Sequence, residues 1–242
     1  MNTLDKYLEN NAYPGRGIII GSDSMDNTLI AYFIMGRSEN SRNRIFETTE
    51  DGIRTRAFDE SKLTDPSLII YAPVRKVGGV TIVTNGDQTD TVRDELVKSE
   101  CPECEYSARN AIALQTREYE PDPPNYTPRI SGILTKNGYE LSILKSEDQS
   151  GGVCQRNFYK YAFETGVCHF IHTYEHDGNP IPTFKGEPRR LETPEGSVEE
   201  IASYIWNCLD ESNRVSLFVR RICREAGKEE SFIINKHQTV KQ

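Results

Sequence analysis

The segment Val80-Thr-Ile-Val-Thr84-Asn-Gly-Asp-Gln-Thr-Asp-Thr91 lies inside the stretch that organises the chain, Pro66 to Arg129. A buried strand is predicted before it, ending in Tyr71-Ala-Pro-Val-Arg75. A Gly78-Gly79 turn leads into a second strand, and helical sequence then runs towards Tyr119-Glu120. Polar side chains crowd the ends of apolar elements here, which is where binding and catalytic residues are usually held. The pattern predicts the active site of a small-molecule enzyme.

Short apolar segments separated by turn signals predict antiparallel hairpins on both sides of this stretch. The strongest turn signal is Asn137-Gly138, a dipeptide suited to the positive φ angles of a two-residue hairpin turn. We predict hairpins of 18–20 with 28–35, 129–135 with 139–144, and 158–163 with 167–173, and further strands at 45–49, 53–58, 215–219 and 231–234.

Helical character is limited to a few segments between these hairpins. Helices are predicted at 91–98, from 103 to before Pro121, and after the capping box Ser197-Val-Glu-Glu200. Because alternating βαβ units are missing, the fold class is α+β, with helices packed on antiparallel sheets.

The organisation of the chain is otherwise simple. Residues 176–194 are rich in Pro and Gly and predict a long loop. Residues 1–12 are a polar extension, and residues 13–242 are expected to form one domain.

Composition excludes several classes of protein. The 242 residues are 36% hydrophobic and 27% charged, so the chain is able to bury a core. A net charge of -8 argues against a nucleic-acid or membrane-surface binder, which needs a basic face. No signal peptide and no apolar run of roughly 20 residues is visible. We therefore expect a cytoplasmic protein whose six cysteines are thiols.

Three polar residues stand out by position. Tyr71, Asn85 and Glu120 each lie at the end of an apolar element, beside a turn. A tyrosine hydroxyl and a carboxylate form a candidate acid–base pair. A sheet-edge tyrosine and a solvated glutamate fit the same pattern, so this alternative stays open.

Anion binding is suggested by the junction after Thr84 and by arginines in loops. The junction precedes a helix and is able to present backbone N–H groups to an anion, although an ordinary turn with an N-cap at Asp90 or Thr91 has the same sequence. Arginine forks match phosphate oxygens, but for any one arginine surface charge is the simpler explanation. The arginines concerned are Arg16, Arg37, Arg42, Arg44, Arg75 and Arg129.

Two other chemistries have weaker support. Cys101-Pro-Glu-Cys104 combined with Cys168, His169, His172 and His176 would compose a zinc site, but the second half lacks the usual ligand spacing. No metal site is therefore expected. A processed N-terminal nucleophile is also missing, since Met1-Asn2 precede Thr3.

Several motifs, taken in order, resemble the archaeal-type IMP cyclohydrolases over roughly residues 13–210. The central ones are Tyr71-x-x-x-Arg75-x-Val-Gly, Val83-Thr-Asn-Gly86, Gln88-Thr-Asp-Thr91, Tyr119-Glu120 and Thr127-Pro-Arg-Ile130. Tyr13-x-Gly-Arg16, Asn43-Arg44, Thr173-Tyr-Glu175 and Phe184-x-Gly186 agree with the same family.

The resemblance implies a fold, a reaction and a set of site residues. The fold would be a four-layer αββα sandwich of antiparallel sheets, similar to N-terminal nucleophile hydrolases without the processed nucleophile. The reaction would be ring closure of the ribonucleotide 5-formamidoimidazole-4-carboxamide ribotide (FAICAR) to IMP plus water, with no cofactor. Arg44, Tyr71 and Glu120 match catalytic positions, whereas Arg16, Asn43, Asn85, Gly86 and Arg129 match the substrate pocket. Arginines, Arg129 among them, would bind the 5′-phosphate.

The chain also departs from the family pattern. Ala72-Pro73 replaces a frequent Asn after the tyrosine, and the loops at 121–126 and 177–194 are long. A non-catalytic purine-nucleotide-binding protein and a related amide hydrolase or cyclohydrolase are therefore the alternative functions. A homo-oligomer is compatible with each of these interpretations.

Overall fold

The chain folds into two antiparallel sheets and five α-helices in the residues that the structure, a computed structural model, describes: 1–63, 66 and 69–237. The helices are α1 Leu4–Leu8, α2 Glu39–Arg42, α3 Gln88–Leu96, α4 Pro102–Gln115 and α5 Val198–Cys208. The strands are β1 Arg16–Ser22, β2 Thr28–Met35, β3 Arg44–Thr48, β4 Ile53–Ala57, β5 Val74–Val77, β6 Val80–Thr84, β7 Arg129–Thr135, β8 Gly138–Ser146, β9 Cys154–Tyr161, β10 Val167–His172, β11 Arg189–Glu192, β12 Arg214–Ile222 and β13 Glu229–Asn235. The predicted α+β class is confirmed.

Strand order divides the chain between the sheets. The six-stranded sheet has the order β11-β10-β1-β2-β12-β13, and the seven-stranded sheet has the order β3-β4-β5-β6-β7-β8-β9. The predicted hairpin of β1 with β2 is confirmed, with Ile19 opposite Ala31. The hairpin of β7 with β8 is confirmed as well, with Thr135 opposite Gly138.

The side chains of β2 alternate between the two faces of the six-stranded sheet, and both faces are buried. Leu29, Ala31, Phe33 and Met35 face one apolar cluster, which α1 and α5 complete. The intervening residues, among them Tyr32, face a second cluster to which both sheets contribute. A third cluster lies between the seven-stranded sheet and helices α3 and α4. Strands that are buried on both faces read as continuous apolar runs, as 28–35 does.

The hairpin predicted at 158–163 and 167–173 is wrong. β9 pairs with β8 in the seven-stranded sheet, whereas β10 pairs with β1 and β11 in the six-stranded sheet. The turn at Glu164-Thr-Gly166 therefore carries the chain from one sheet to the other. β9 is a half-exposed edge strand and β10 is largely buried, and a local turn signal does not encode this difference.

Two other boundaries differ from prediction. The segment 176–194 was expected to be a loop but includes β11, which pairs with β10 through residues distant in the chain. The strand predicted to end at Arg75 begins only at Val74, while residues 67 and 68 lie outside the described residues. Tyr71 is instead held by Thr55, whose hydroxyl accepts from the Tyr71 N–H at 2.8 Å.

The prediction that all six cysteines are thiols is wrong. Cys101 and Cys104 form a disulfide at the start of α4, and Cys154, Cys168, Cys208 and Cys223 are free. Among the described helices, none has the length and apolar character needed to cross a membrane.

Residues 1–12, predicted to be a polar extension, pack against the six-stranded sheet through α1. Leu4 and Leu8 of α1 are buried in the cluster shared with α5. The Tyr7 hydroxyl bonds to Nε2 of His172 at 2.8 Å, and Nδ1 of that ring bonds to the Tyr174 carbonyl, which requires the proton on Nδ1. Burial lowers the pKa of His172 to about 3, so the ring is neutral and Nε2 accepts from Tyr7.

Replacing Tyr7 by Phe is expected to destabilise the fold by about 1–3 kcal/mol, because it leaves the Nε2 acceptor of His172 buried without a donor. Urea unfolding followed by circular dichroism measures the loss. Tyr204→Phe is the matched control, since the Tyr204 hydroxyl bonds to Asp5 at an exposed position and its removal should cost less. Equal losses in the two variants would contradict a specific role for the Tyr7 bond.

Candidate active site

A cavity of about 240 Å³ opens beside the N-terminal end of β1. Its walls come from β1, from the segment between β2 and β3, and from the loops that contain Asp122 and Tyr174. The lining residues are Tyr13, Gly15, Arg16, Met35, Arg37, Ser38, Ser41, Arg44, Asp122, Asn125, Thr127, Tyr174 and Ile181. Cationic groups and hydroxyls dominate this surface, so it is suited to an anionic, polar ligand.

Arg44 supplies the most unusual group in the cavity wall. The side chain is 1% exposed, its Nε donates to the Ser41 carbonyl at 2.8 Å, and its Nη2 donates to the Met35 carbonyl at 3.3 Å. Its Nη1 has no hydrogen-bond partner among the residues that the structure describes. Burial lowers the pKa of this guanidinium. A buried cation with an unused donor beside a cavity favours an anionic partner.

Arg16 connects the cavity to Glu120. Its Nη1 lies 3.0 Å from Glu120 Oε2, and both side chains are largely buried. The backbone N–H of Glu120 donates to the Thr127 carbonyl at 2.8 Å, which fixes the loop that carries it. Burial raises the pKa of Glu120, against the opposing charges of Arg16 and Arg129. A carboxylate in this environment is suited to accepting a proton.

Tyr71 lies in the same charged cluster. Its hydroxyl is 2.7 Å from the hydroxyl of Tyr32, and both tyrosines interact electrostatically with Arg16 and Arg44. Tyr32 was not predicted as a site residue, because β2 reads as an apolar strand. The available signal was alternation: of Ile30, Tyr32 and Ile34, which face the other sheet, only Tyr32 carries a polar atom.

Asn85 and Gly86 shape the wall behind Glu120. The Asn85 amide accepts from the Ile130 N–H at 2.8 Å and donates to the Pro128 carbonyl at 2.8 Å, so it clamps the end of β6 to the start of β7. A Cβ on Gly86 would lie 2.5 Å from Arg129 Nη1 and 3.6 Å from Glu120 Oε1. The close contacts are with Arg129 and with Gln88, whose Oε1 would lie 2.6 Å from that Cβ, so glycine leaves room for these two buried side chains, while Glu120 is at ordinary contact distance.

The structure brings most, but not all, of the predicted site residues together. Arg16 and Arg44 line the cavity, and Glu120 is bonded to Arg16. Gly86 and Arg129 adjoin Glu120, and Asn85 precedes Gly86 at the end of β6. Tyr71 is bonded to Tyr32 and interacts electrostatically with both cavity arginines. Arg129 is buried and forms an ion pair with Asp87 at 2.7 Å.

Asn43, Arg42 and Arg75 are engaged elsewhere. Asn43 uses its amide to bond the backbone N–H and carbonyl of Asp59, each at 2.8 Å. Arg42 donates to the Gly36 carbonyl, and Arg75 pairs with Asp51 and Asp90.

The residues considered for zinc are used in other ways. Cys101 and Cys104 are joined in their disulfide. His169 bonds to Tyr139, and His172 bonds to Tyr7. Within residues 1–63, 66 and 69–237, no three His, Cys, Asp or Glu side chains are grouped so as to hold a metal ion.

Comparison with known proteins gives a consistent result. The family model described as IMP cyclohydrolase-like protein matches residues 13–226. An IMP cyclohydrolase of Methanococcus aeolicus is 27% identical over 165 residues, which cover 67% of this chain and 74% of that protein. One from Methanocella arvoryzae is 25% identical over 197 residues, 81% of this chain and 86% of that protein. One from Halobacterium salinarum is 29% identical over 128 residues, 52% of this chain and 59% of that protein.

Gly86→Ala is expected to displace Arg129 and Gln88, since the new Cβ would lie 2.5 Å and 2.6 Å from their polar atoms. Crowding of this kind costs about 1–3 kcal/mol. Urea unfolding and a crystal structure of the variant measure the effect. Gly152→Ala is the control, because only the Ser150 hydroxyl approaches its Cβ position. An unchanged unfolding midpoint with Arg129 still in place would contradict the close packing described above.

Proposed function

The chain belongs to the family of IMP cyclohydrolase-like proteins, and on that basis we propose that it catalyses ring closure of FAICAR to IMP plus water. The relatives named IMP cyclohydrolase support the same conclusion. The observation that carries the proposal is the position of Arg16. It lines the cavity together with Arg44 and also holds the buried carboxylate of Glu120, so one cavity has an anion-binding wall and a base behind it.

The substrate enters on the cationic side of the cavity. We assign its 5′-phosphate to the side that includes Arg37 and Ser38, and its reacting groups to Arg16 and Arg44. The cavity of about 240 Å³ is smaller than the roughly 300–1,000 Å³ of typical ligand pockets. Because Glu120 does not line the cavity and is paired with Arg16, productive binding requires that the Arg16–Glu120 ion pair opens.

The first chemical step is attack of the carboxamide nitrogen on the formyl carbon. That nitrogen is a poor nucleophile because its lone pair is delocalised, so orientation of the two groups within one molecule contributes much of the acceleration. Glu120 accepts a proton from the nitrogen as the new C–N bond forms. Tyr71 donates a proton to the formyl oxygen, and the free Nη1 of Arg44 stabilises the negative charge that develops there.

The second step is loss of water from the resulting carbinolamine. Protonated Glu120 returns its proton to the departing hydroxyl group, and the C–O bond breaks. The Tyr71 phenolate takes the proton from the other ring nitrogen, which leaves the C=N bond of the purine. Both residues regain their starting states, so the sequence balances in protons without a cofactor.

The remaining predicted residues act on the shape of the pocket. Asn85 and Gly86 position the wall that holds Glu120. Arg129, which was predicted to bind the 5′-phosphate, is buried, paired with Asp87 and not part of the cavity lining, so we assign it a role on the Glu120 carboxylate through its charge instead. Asn43 contributes by fixing the backbone at Asp59, beside the segment that carries Arg44.

We also propose the finer architecture, a four-layer αββα sandwich similar to N-terminal nucleophile hydrolases. Three apolar clusters support it, one between the sheets and one beneath each helical layer. Residues 13–242 would form the single domain of this kind, with the end of the domain outside the described residues. The homo-oligomer stays a prediction.

Purified protein should convert FAICAR to IMP, followed by absorbance, and Tyr71→Phe should lower kcat by about 10²–10⁴-fold with little change in KM. Tyr159→Phe is the control, because Tyr159 lies on the edge strand β9 and its hydroxyl donates to the carbonyl of Gly186, outside the candidate site. Saturable IMP binding without turnover would indicate a nucleotide-binding protein instead. Turnover of a different carboxamide ribotide would indicate a related cyclohydrolase.

The pH dependence of kcat/KM should report the ionisation of the Glu120 carboxyl group. Its pKa is raised by burial, and the base must be ionised, so activity should fall as the pH drops through a value above the ordinary range of a glutamate. Glu120→Gln should remove this acidic limb, whereas Glu118→Gln, at an exposed neighbouring position, should leave it in place. An acidic limb that survives in Glu120→Gln would exclude Glu120 as the base.

A further inference from the structure

Asp87 occupies the N-cap position of α3 but does not cap the helix, since its side chain makes no capping hydrogen bond. Its two carboxylate oxygens bind two arginines instead. Oδ1 lies 2.7 Å from Arg129 Nη1, and Oδ2 lies 2.8 Å from Arg117 Nη1. An aspartate at an N-cap usually accepts a hydrogen bond from a backbone N–H of the first helical turn. The Asp87 carboxylate forms two ion pairs instead.

Arg129 is the partner that matters for Glu120. The Nη1 atom that binds Asp87 also donates to Gln88 Oε1 at 2.7 Å, so Arg129 is held from the α3 side. The Gly86 position lies next to both Arg129 Nη1 and Glu120 Oε1, which shows that the two side chains are neighbours. Even so, Arg129 and Glu120 do not form an ion pair within 4.0 Å in the described part of the chain, and Glu120 is paired with Arg16.

Arg117 anchors this arrangement to the loop that carries Glu120. Its Nη1 binds Asp87, and its Nε donates to the Thr91 hydroxyl at 2.8 Å. Arg117 follows α4 and lies three positions before Glu120 in the chain. Asp87 therefore binds Arg129, which lies next to Glu120 in space, and Arg117, which is close to Glu120 in the chain.

We propose that Asp87 is a positioning residue that keeps Arg129 from pairing with Glu120, so that the carboxylate has a single removable guanidinium partner and stays basic enough to take the substrate's proton. The role assigned to Glu120 rests on the proposed function. The holding of Arg129 by Asp87 is a property of the folded chain and is testable without turnover.

The charges around Glu120 determine whether its pKa should rise or fall when Asp87 is replaced. Arg16 faces it from β1, Arg129 from β7, Asp122 from its own loop, and Tyr174 from the segment after β10. Burial raises the pKa of Glu120, and the arginines oppose that rise. When Asp87 loses its charge, Arg129 is less neutralised and is free to approach Glu120. Both changes stabilise the glutamate anion, so its pKa should fall.

The test is the titration of the Glu120 carboxyl carbon by ¹³C NMR in protein labelled at glutamate side chains, with the resonance assigned by its loss in Glu120→Gln. In Asp87→Asn the midpoint should move down by about one pH unit, the lower end of the shift that a nearby opposite charge produces. The acidic limb of kcat/KM should move in the same direction. Asp87→Glu, which keeps the charge, should restore most of the wild-type midpoint.

Asp90→Asn is the matched control, since it removes the same charge from the same helix but from a residue that pairs with Arg75. Its Glu120 midpoint should equal that of the wild type. A midpoint in Asp87→Asn that is unchanged or higher would overturn the proposal, as would an equal fall in Asp90→Asn. If the wild type fails to turn over FAICAR, the proposed function fails, while the titration still decides whether Asp87 restrains Arg129.

Discussion

The buried ion pair between Arg16 and Glu120 is the interaction on which the candidate site depends. Arg16 begins β1 of the six-stranded sheet, and Glu120 lies on the loop that leads into β7 of the seven-stranded sheet, so the pair joins the two sheets where their apolar interface ends. Removing both ions from water costs several kcal/mol each, and good geometry has to offset that cost. Here the 3.0 Å contact and the charge of Arg129 contribute to that offset.

The cavity next to this ion pair has an excess of positive charge, which suits an anionic substrate. Arg44 has no acidic partner among the described side chains and retains an unused donor, and Arg37 is more exposed and pairs with Asp177. A bound ribonucleotide would provide the missing negative charge. The apolar layer between the sheets supports this arrangement, because it holds Tyr32 and the strands that carry the arginines in fixed positions.

Local signals in the sequence predicted much of the fold. The Asn137-Gly138 turn, the capping box at Ser197 and the apolar run of β2 each correspond to an observed element. The interpretation was wrong where two strands are adjacent in sequence but belong to different sheets, as β9 and β10 do. Turn chemistry describes a few residues, whereas sheet assignment depends on which distant strand completes each ladder.

The amino-acid sequence by itself determined the α+β class, most strand positions and the motifs that place the chain in its family. Only the tertiary structure decided which of the singled-out residues share a site. Arg16 and Glu120 are 104 positions apart and meet because β1 begins at the edge of the sheet interface where the loop before β7 lies. Asn43, next to Arg44 in sequence, turns instead to Asp59. The physical reason is that alternation and turn signals act over a few residues, while the pairing of buried charges depends on how two whole sheets pack.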